Sequence, residues 1–330
     1  MAKIVLGIGT SHGPMLVTSP EKWQQRLAFD RVATHAWRGL SWRYDELVQE
    51  RADQEFAQQV TSEAMEAHEA RCQSALDRLA EIFAEAHIDV AVIIGNDQME
   101  IFDERLIPAF SIFYGDSITN YEFTPQRLAQ LPPGIEDSLP GYIPSGGAVY
   151  EGSPNLARSI IAQAMTDGFD VAAMKGLPKP ETPHAFGFIY RRIMRDNPVP
   201  SVPVLVNTFY PPNQPTVERC YQFGKSVLRG IEAWESDARV AVFASGGLTH
   251  FVIDEEVDRL FLDAIRTRDI RRVAALGEAV FQDGTSEIKN WVPLAGMMAD
   301  LGLEPDVLDY VPCYRSEAGT GNAMGFVCWR

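Results

Sequence analysis

Short apolar runs alternate along this chain with segments that have helical patterning, and this alternation constrains the fold most strongly. The clearest runs cover residues 4–8, 88–94, 202–207 and 239–244. Runs that are apolar at nearly every position are typical of strands buried on both faces of a sheet. Between the first two runs, Cys72, Leu76, Leu79 and Phe83 recur at helical spacing and mark one apolar helix face. The sequence therefore predicts an α/β fold with a central, mostly parallel or mixed sheet flanked by helices.

The same patterning predicts how the rest of the chain is organised. Further helices are expected near residues 156–165, 217–234, 258–262 and 270–281, and a further strand near residues 169–174. No repeat or flexible linker interrupts the chain, so we expect one domain over residues 1–330. Within it, a helical segment should cover about residues 19–86, and a loop-rich excursion rich in Pro and Gly about residues 124–154. The tail from residue 310 to 330 should fold back over the core.

The charge and composition of the chain limit the classes of partner and the cellular location that we expect. The net charge of -16 repels a phosphate backbone, so we do not expect a nucleic-acid partner. An anionic substrate would then need a local Arg or Lys to capture it. No stretch approaches the ~18 apolar residues of a membrane-spanning helix, and residues 1–8 read as a strand rather than a signal peptide. The four cysteines lack zinc-finger or CxxC spacing, which favours reduced thiols and a cytoplasmic protein.

Three motifs follow strand-like runs and each carries a side chain that could bind a metal. They are residues 9–14 with His12, residues 95–98 with Gln98, and residues 246–250 with His250, and Glu256 lies just beyond the last. Polar groups at the carboxyl ends of parallel strands converge on one crevice. Two His and one carboxylate would form the facial triad of non-haem Fe(II) oxygenases, of which His12 and Glu256 supply two members. Taken alone, Glu256 is better interpreted as an acidic residue in the first turn of a helix.

His184 is the residue we would test first for proton transfer. It lies among aromatic and small residues in Pro183-His184-Ala185-Phe186-Gly187-Phe188, and an imidazole titrates near neutral pH. His250 is equally suited to orient a neighbouring group. The sequence contains no GxGxxG after a strand, no GxxxxGK[ST] and no HExxH, so nucleotide-dependent chemistry gains little support.

Several of these motifs, in this order, resemble those of the class III extradiol ring-cleavage dioxygenases, the superfamily of the protocatechuate 4,5-dioxygenase β subunit and of gallate dioxygenases. The resemblance covers most of the chain, and its longest block is Asn207-Thr208-Phe209-Tyr210-Pro211-Pro212-Asn213-Gln214-Pro215. The other blocks are residues 7–12, 96–97, 183–188, 245–250 and 253–256.

This resemblance implies a mononuclear Fe(II) enzyme that binds a catechol-type diol, uses O2 as co-substrate and opens the ring beside the hydroxyls. It implies that His12 and Glu256 bind iron and that His184 is the acid/base. The substrate pocket and its surroundings would include His250, Asn207, Phe186, Tyr210 and Arg315, with Lys289 as a second candidate for holding a substrate carboxylate. The long segment at residues 19–85 and the tail at residues 310–320 are similar to relatives that act on lignin-derived acids such as 3-O-methylgallate; gallate and protocatechuate are the other expected substrates.

The chain departs from the family at position 98, where the usual second iron histidine is Gln98. A neutral amide oxygen is a weaker iron ligand than imidazole. Gln98 could still bind the metal, His250 or Glu100 could complete the site, or iron binding could be lost. The last case would make the chain a non-catalytic binding or structural subunit, and a metal-assisted hydrolase or isomerase is a third possibility because fold does not fix the reaction. The apolar, aromatic tail also suggests a homodimer.

Overall fold

The computed structural model describes residues 1–131 and 134–330 and contains a large mixed sheet with helices on both faces. The strands are β1 (Lys3–Thr10), β2 (Thr34–Trp37), β3 (Leu40–Arg43), β4 (Val90–Gly95), β5 (Phe110–Phe113), β6 (Ser117–Asn120), β7 (Ala148–Glu151), β8 (Ala172–Met174), β9 (Ser201–Val206), β10 (Arg239–Ser245), β11 (His250–Val252), β12 (Pro305–Tyr314) and β13 (Thr320–Trp329). The α-helices are α1 (Pro20–Trp23), α2 (Leu27–Asp30), α3 (Tyr44–Glu50), α4 (Ser62–Glu85), α5 (Pro125–Leu128), α6 (Pro154–Thr166), α7 (His184–Phe188), α8 (Val217–Ala233), α9 (Glu255–Thr267), α10 (Arg271–Ala274) and α11 (Ile288–Leu301). This architecture confirms the predicted α/β fold class.

Four neighbouring parallel strands form the centre of the sheet. They lie in the order β1, β10, β4, β9, and the antiparallel strands β13 and β5 extend the sheet on either side. Because these four strands run in the same direction, the loops after all of them emerge at one edge. The motifs that follow β1, β4 and β10 therefore become spatial neighbours although they are distant in sequence.

The sheet has a hydrophobic core on each face, which explains why its central strands are apolar at consecutive positions. Along β4, Val90, Val92 and Ile94 join a core shared with α6, α8, α9 and α11. Ala91 and Ile93 face the opposite side, where α4 and α7 cover the sheet. Both faces are thus sealed, and the polar residues of the motifs are left at the strand ends.

The C-terminal tail differs from the expectation. Residues 305–329 form the antiparallel pair β12–β13, and β13 is buried along its whole length between β12, β1 and β11. The sequence did not predict these strands because prolines and aspartates in β12 and glycines in β13 weaken the local strand signal, whereas the strands are fixed by pairing within the sheet. The tail's apolar character is thus accounted for by contacts within the chain, which removes the observation behind the predicted homodimer.

Two other segments are more varied than expected. Of the predicted helical segment at residues 19–86, only α4 is long, and short helices with the β2–β3 hairpin precede it. The excursion at residues 124–154 contains α5, a 3-10 turn at Glu136–Gly141 and β7, which pairs with β6; its residues 132–133 lie outside the described residues. α11, which the sequence patterning did not indicate, is buried at most positions. Among the described helices, none is long and apolar enough to cross a membrane.

Candidate active site

The ends of β1, β4 and β10 bring polar side chains to one cavity of about 370 Å³. His12, Gln98 and His250 line it together with His184, Glu100 and Glu287. His12, His184 and Glu287 each place one possible ligand atom within 4.8 Å of the other two. Five of these six residues were singled out from the sequence, and the structure adds Glu287.

His12 is held in one tautomer by its neighbours. The hydroxyl of Ser245 donates to the carbonyl of Ala185 at 2.6 Å, so its single hydrogen is used. Nδ1 of His12, 2.9 Å from the same hydroxyl oxygen, must therefore donate to it. Nε2 is left with a lone pair. Burial lowers the pKa of His12, against the opposing effect of Glu287, so the ring is neutral at neutral pH.

Glu287 lies opposite that lone pair. Its Oε2 is 3.1 Å from Nε2 of His12 and accepts a hydrogen bond from the backbone N–H of Gly247 at 2.9 Å. Its Oε1 accepts from the side-chain amides of Asn96 and Gln98, both at 3.1 Å. Three hydrogen bonds donated to its two oxygens favour the ionised form of Glu287 despite its burial. The carboxylate is fixed and charged.

This geometry fits a divalent cation. A neutral Nε2 and a carboxylate oxygen are both acceptors, and two acceptors at this distance repel unless a positive charge lies beside them. Neighbouring ligands of a metal with bonds of about 2.1 Å are separated by roughly 3 Å, which matches the spacing of these two atoms. A buried His and carboxylate with an open side also suit iron.

His184 is paired with Glu100 rather than with a backbone group. Its Nδ1 is 2.9 Å from both carboxylate oxygens of Glu100, and its backbone N–H also donates to Glu100. Burial favours the neutral ring, but Glu100 outweighs it and raises the pKa of His184 to about 9. The rings of His184 and His12 lie 4.5 Å apart, edge to face. His184 is thus a cationic proton donor beside the candidate metal position.

His250 approaches Glu287 from another side. Its Nδ1 lies 2.9 Å from the carbonyl of Leu248, which can only accept, so Nδ1 donates and Nε2 faces Glu287 at 3.8 Å. Burial disfavours the charged ring, yet Glu287 raises the pKa of His250 above its ordinary value. A Cβ at Gly247 would lie 2.4 Å from this imidazole, so only glycine allows the close approach.

The sequence prediction was wrong about which carboxylate lies beside His12. Glu256 is at the exposed start of α9, where its side chain is 80% exposed and pairs with Arg38 at 2.6 Å. The structure supports the other interpretation of Glu256, that of an acidic residue in the first turn of a helix. Glu287 instead precedes α11, which is buried nearly all around and therefore carries its N-terminal acid into the core. A helix this apolar, preceded by Ser286-Glu287, is the signal that could have identified it.

Other residues expected around the substrate have structural contacts. Asn207 closes the turn at residues 207–213 through hydrogen bonds with Tyr210 and Asn213, and it does not line the cavity. Phe186 is fully buried in the core beside β4. Tyr210 reaches the site indirectly, because its hydroxyl donates to the amide oxygen of Gln98 at 3.2 Å.

The two cations proposed for a substrate carboxylate are already paired. Arg315 lines the cavity, but Asp30 binds its guanidinium at 2.7 and 2.9 Å, and both side chains are buried. Lys289 is buried and paired with Glu278 at 2.7 Å. The cavity walls are formed instead by residues in and just before the excursion at residues 124–154, notably Phe123, Leu139 and Tyr142, and by Phe251.

Comparison with known proteins identifies a family and a curated relative. The family described as the catalytic LigB subunit of aromatic ring-opening dioxygenase matches residues 66–314. A gallate dioxygenase from Pseudomonas putida strain KT2440 is 29% identical over 163 residues, which cover 45% of this chain and 46% of that protein. The chain thus aligns with less than half the length of this curated relative. A crystal structure of an uncharacterized Escherichia coli K12 protein aligns over 98% of both chains, with 12% identity and a TM-score of 0.47.

Proposed function

The chain belongs to the family of catalytic LigB subunits of aromatic ring-opening dioxygenases, within the class III extradiol dioxygenase superfamily, and from this we propose that it is an Fe(II)-dependent extradiol dioxygenase. The substrates proposed are catechol-type aromatic acids such as gallate, 3-O-methylgallate or protocatechuate. In this reaction both atoms of O2 enter the product, so no external reductant is required. The observation that carries the proposal is the neutral Nε2 of His12 facing the carboxylate of Glu287 at 3.1 Å.

His12 and Glu287 would hold the metal, and Gln98 would be the third ligand through its amide oxygen. The amide now donates to Glu287 and accepts from Tyr210. A phenol hydroxyl both donates and accepts hydrogen bonds. The side-chain amide of Gln98 can therefore rotate by half a turn, so that its NH2 group donates to the hydroxyl of Tyr210 and its oxygen lies beside the carboxylate of Glu287. Bound Fe(II) would supply a template for both diol oxygens and the electrons that activate O2.

The chain's own residues would handle the protons. In its neutral form, His250 has an unprotonated Nε2 on the side of Glu287 and would accept a proton from a diol hydroxyl. His184, held as a cation by Glu100, would donate a proton to one oxygen atom as the O–O bond breaks and the ring opens, and both oxygen atoms stay in the product. The apolar wall formed by Phe123, Leu139 and Tyr142 would exclude water from the ring. Two imidazoles with different partners can take opposite roles in proton transfer.

The test combines metal binding with turnover. Protein reconstituted anaerobically with Fe(II) should take up O2 with gallate, 3-O-methylgallate or protocatechuate and produce a yellow ring-fission product. The His184→Ala variant should retain iron but lose roughly 10²- to 10⁴-fold in kcat, as expected for removal of a general acid. Loss of iron together with activity would instead make His184 the third ligand, which its distance from His12 and Glu287 also allows.

The presence of Gln98 at the site supports a second candidate function. In it, the chain is a metal-free family member that binds aromatic ligands or acts as a structural subunit. The amide of Gln98 stabilises Glu287 by a hydrogen bond without any cation. Metal analysis of protein prepared with excess Fe(II) separates the two: near-stoichiometric iron supports the dioxygenase, and protein without bound metal supports the second candidate.

A further inference from the structure

Two arginines on the cavity wall have no carboxylate partner in the described part of the chain. Arg26 and Arg127 line the same cavity as His12 and Glu287. Within residues 1–131 and 134–330, neither guanidinium forms an ion pair with an acidic side chain. Nη2 of Arg127 donates to the backbone carbonyl of Met99 at 3.4 Å, and its Nε is buried without a hydrogen-bond partner. Arg315, by contrast, is neutralised by Asp30.

Both side chains are held at the cavity by neighbouring segments. Arg26 ends a 3-10 turn at Gln24–Arg26 and lies 5.5 Å from the ring of Phe29, and Arg127 lies on α5, 5.7 Å from the ring of Phe123. The segments that carry them are joined by an ion pair between Lys22 and Asp137 at 2.6 Å. Both arginines therefore line one cavity, from segments that are distant in sequence but in contact.

Uncompensated cations in a partly buried wall require an explanation, because burial of an unpaired charge is costly. Burial, together with nearby Arg315, lowers the pKa of Arg26, and Asp30 opposes this only in part. The chain as a whole carries a net charge of -16, so these arginines place positive charge in the cavity wall of a molecule that is negative overall. A planar guanidinium matches a carboxylate in two hydrogen bonds.

We infer that Arg26 and Arg127 bind the ring carboxylate of the aromatic acid and so select acids over the same diols without a carboxylate. This inference rests on the proposed function, since it places the diol end of the substrate beside His12 and Glu287. The cavity of about 370 Å³ is large enough for one substituted ring, because a cavity of about 150 Å³ holds benzene.

The test measures equilibrium binding without turnover. Anaerobic, Fe(II)-loaded protein is titrated calorimetrically with two matched pairs: protocatechuate against catechol, and gallate against pyrogallol. We expect Arg26→Gln and Arg127→Gln each to raise the Kd for the acids about tenfold or more and the Kd for the diols less than threefold. Arg31→Gln is the matched control, because Arg31 is exposed near Arg26 and does not line the cavity. Arg26→Lys should recover part of the lost affinity.

The outcomes separate this inference from the proposed function. Wild-type protein that binds each acid and its diol with equal Kd, or variants that weaken both members of a pair equally, overturn the inference even if the enzyme turns over. Selective loss of acid binding in a protein that consumes no O2 supports the inference and overturns the proposed reaction. Melting temperatures of the variants within a few degrees of wild type show that the fold is retained.

Discussion

Replacing Glu287 by Gln, beside the matched exchange Glu256→Gln, tests which carboxylate belongs to the metal site. Glu287→Gln preserves size and keeps one oxygen for the amides of Asn96 and Gln98. It replaces the oxygen facing His12 by an NH2 group, which can donate to the free Nε2. The variant should therefore fold, but it removes the negative charge that a divalent cation requires.

The expected magnitude follows from the contacts. Loss of a residue that only supports a ligand costs 10- to 100-fold in metal affinity, so loss of a charged ligand should cost Glu287→Gln at least about 100-fold. The N–H of Gly247, which now donates to Glu287, would face the new amide and offset the gain at His12. We therefore expect the metal-free variant to remain within about 2 kcal/mol of wild type. Glu256→Gln breaks one exposed ion pair with Arg38 and should change the free energy of unfolding by roughly 0–1 kcal/mol and leave metal affinity unchanged.

Anaerobic calorimetry with Fe(II) measures the two affinities directly. A melting curve adds an independent readout, because a ligand at 100 times its Kd stabilises the native state by about 2.7 kcal/mol. The melting temperature of wild type and of Glu256→Gln should rise with Fe(II), and that of Glu287→Gln should not. If Glu256→Gln lost the metal and Glu287→Gln retained it, the placement of Glu287 at the site would be refuted.

Three further changes probe the surroundings of the site. Gln98→His should raise Fe(II) affinity measured by calorimetry about tenfold or more, because an imidazole replaces a neutral amide oxygen; lower affinity would show that Gln98 is not directed at the metal. The raised pKa of His184 stabilises the metal-free fold by up to about 3 kcal/mol; this contribution is fully present below pH 6.5 and is lost as pH rises through about 9. In denaturant unfolding curves, the free energy of unfolding of wild type should therefore fall over this pH range, and that of Glu100→Gln should not. An unchanged fall in Glu100→Gln would contradict the pairing of His184 with Glu100. Asp30→Asn leaves Arg315 buried without its partner and should cost about 3–5 kcal/mol in urea unfolding, whereas a cost below 1 kcal/mol would show that the pair is not structurally required.

The sequence predicted the parts of the fold that local pattern determines. β4 and β10 were identifiable because strands sealed on both faces need apolar residues at every position. β13 was not, because its glycines weaken the local strand signal and its place is set by pairing with β12 and β1. The same distinction applies to the site. His12 follows its strand directly, so its position could be inferred from neighbouring residues.

Glu287 was not placed in this way. The apolar pattern of residues 288–301 indicates a buried helix after Glu287, but it does not indicate that α11 reaches the end of β1. The position of Glu287 depends on tertiary packing, in which the buried α11 carries its first turn to the strand ends. The orientation of the ring nitrogens depends on equally distant contacts. Ser245 and Leu248 decide which nitrogen of His12 and His250 carries the hydrogen, and Glu100 decides that His184 is charged. Residue types at strand ends therefore indicate that a metal could bind, whereas these surrounding contacts determine which atom faces the metal and which carries the proton.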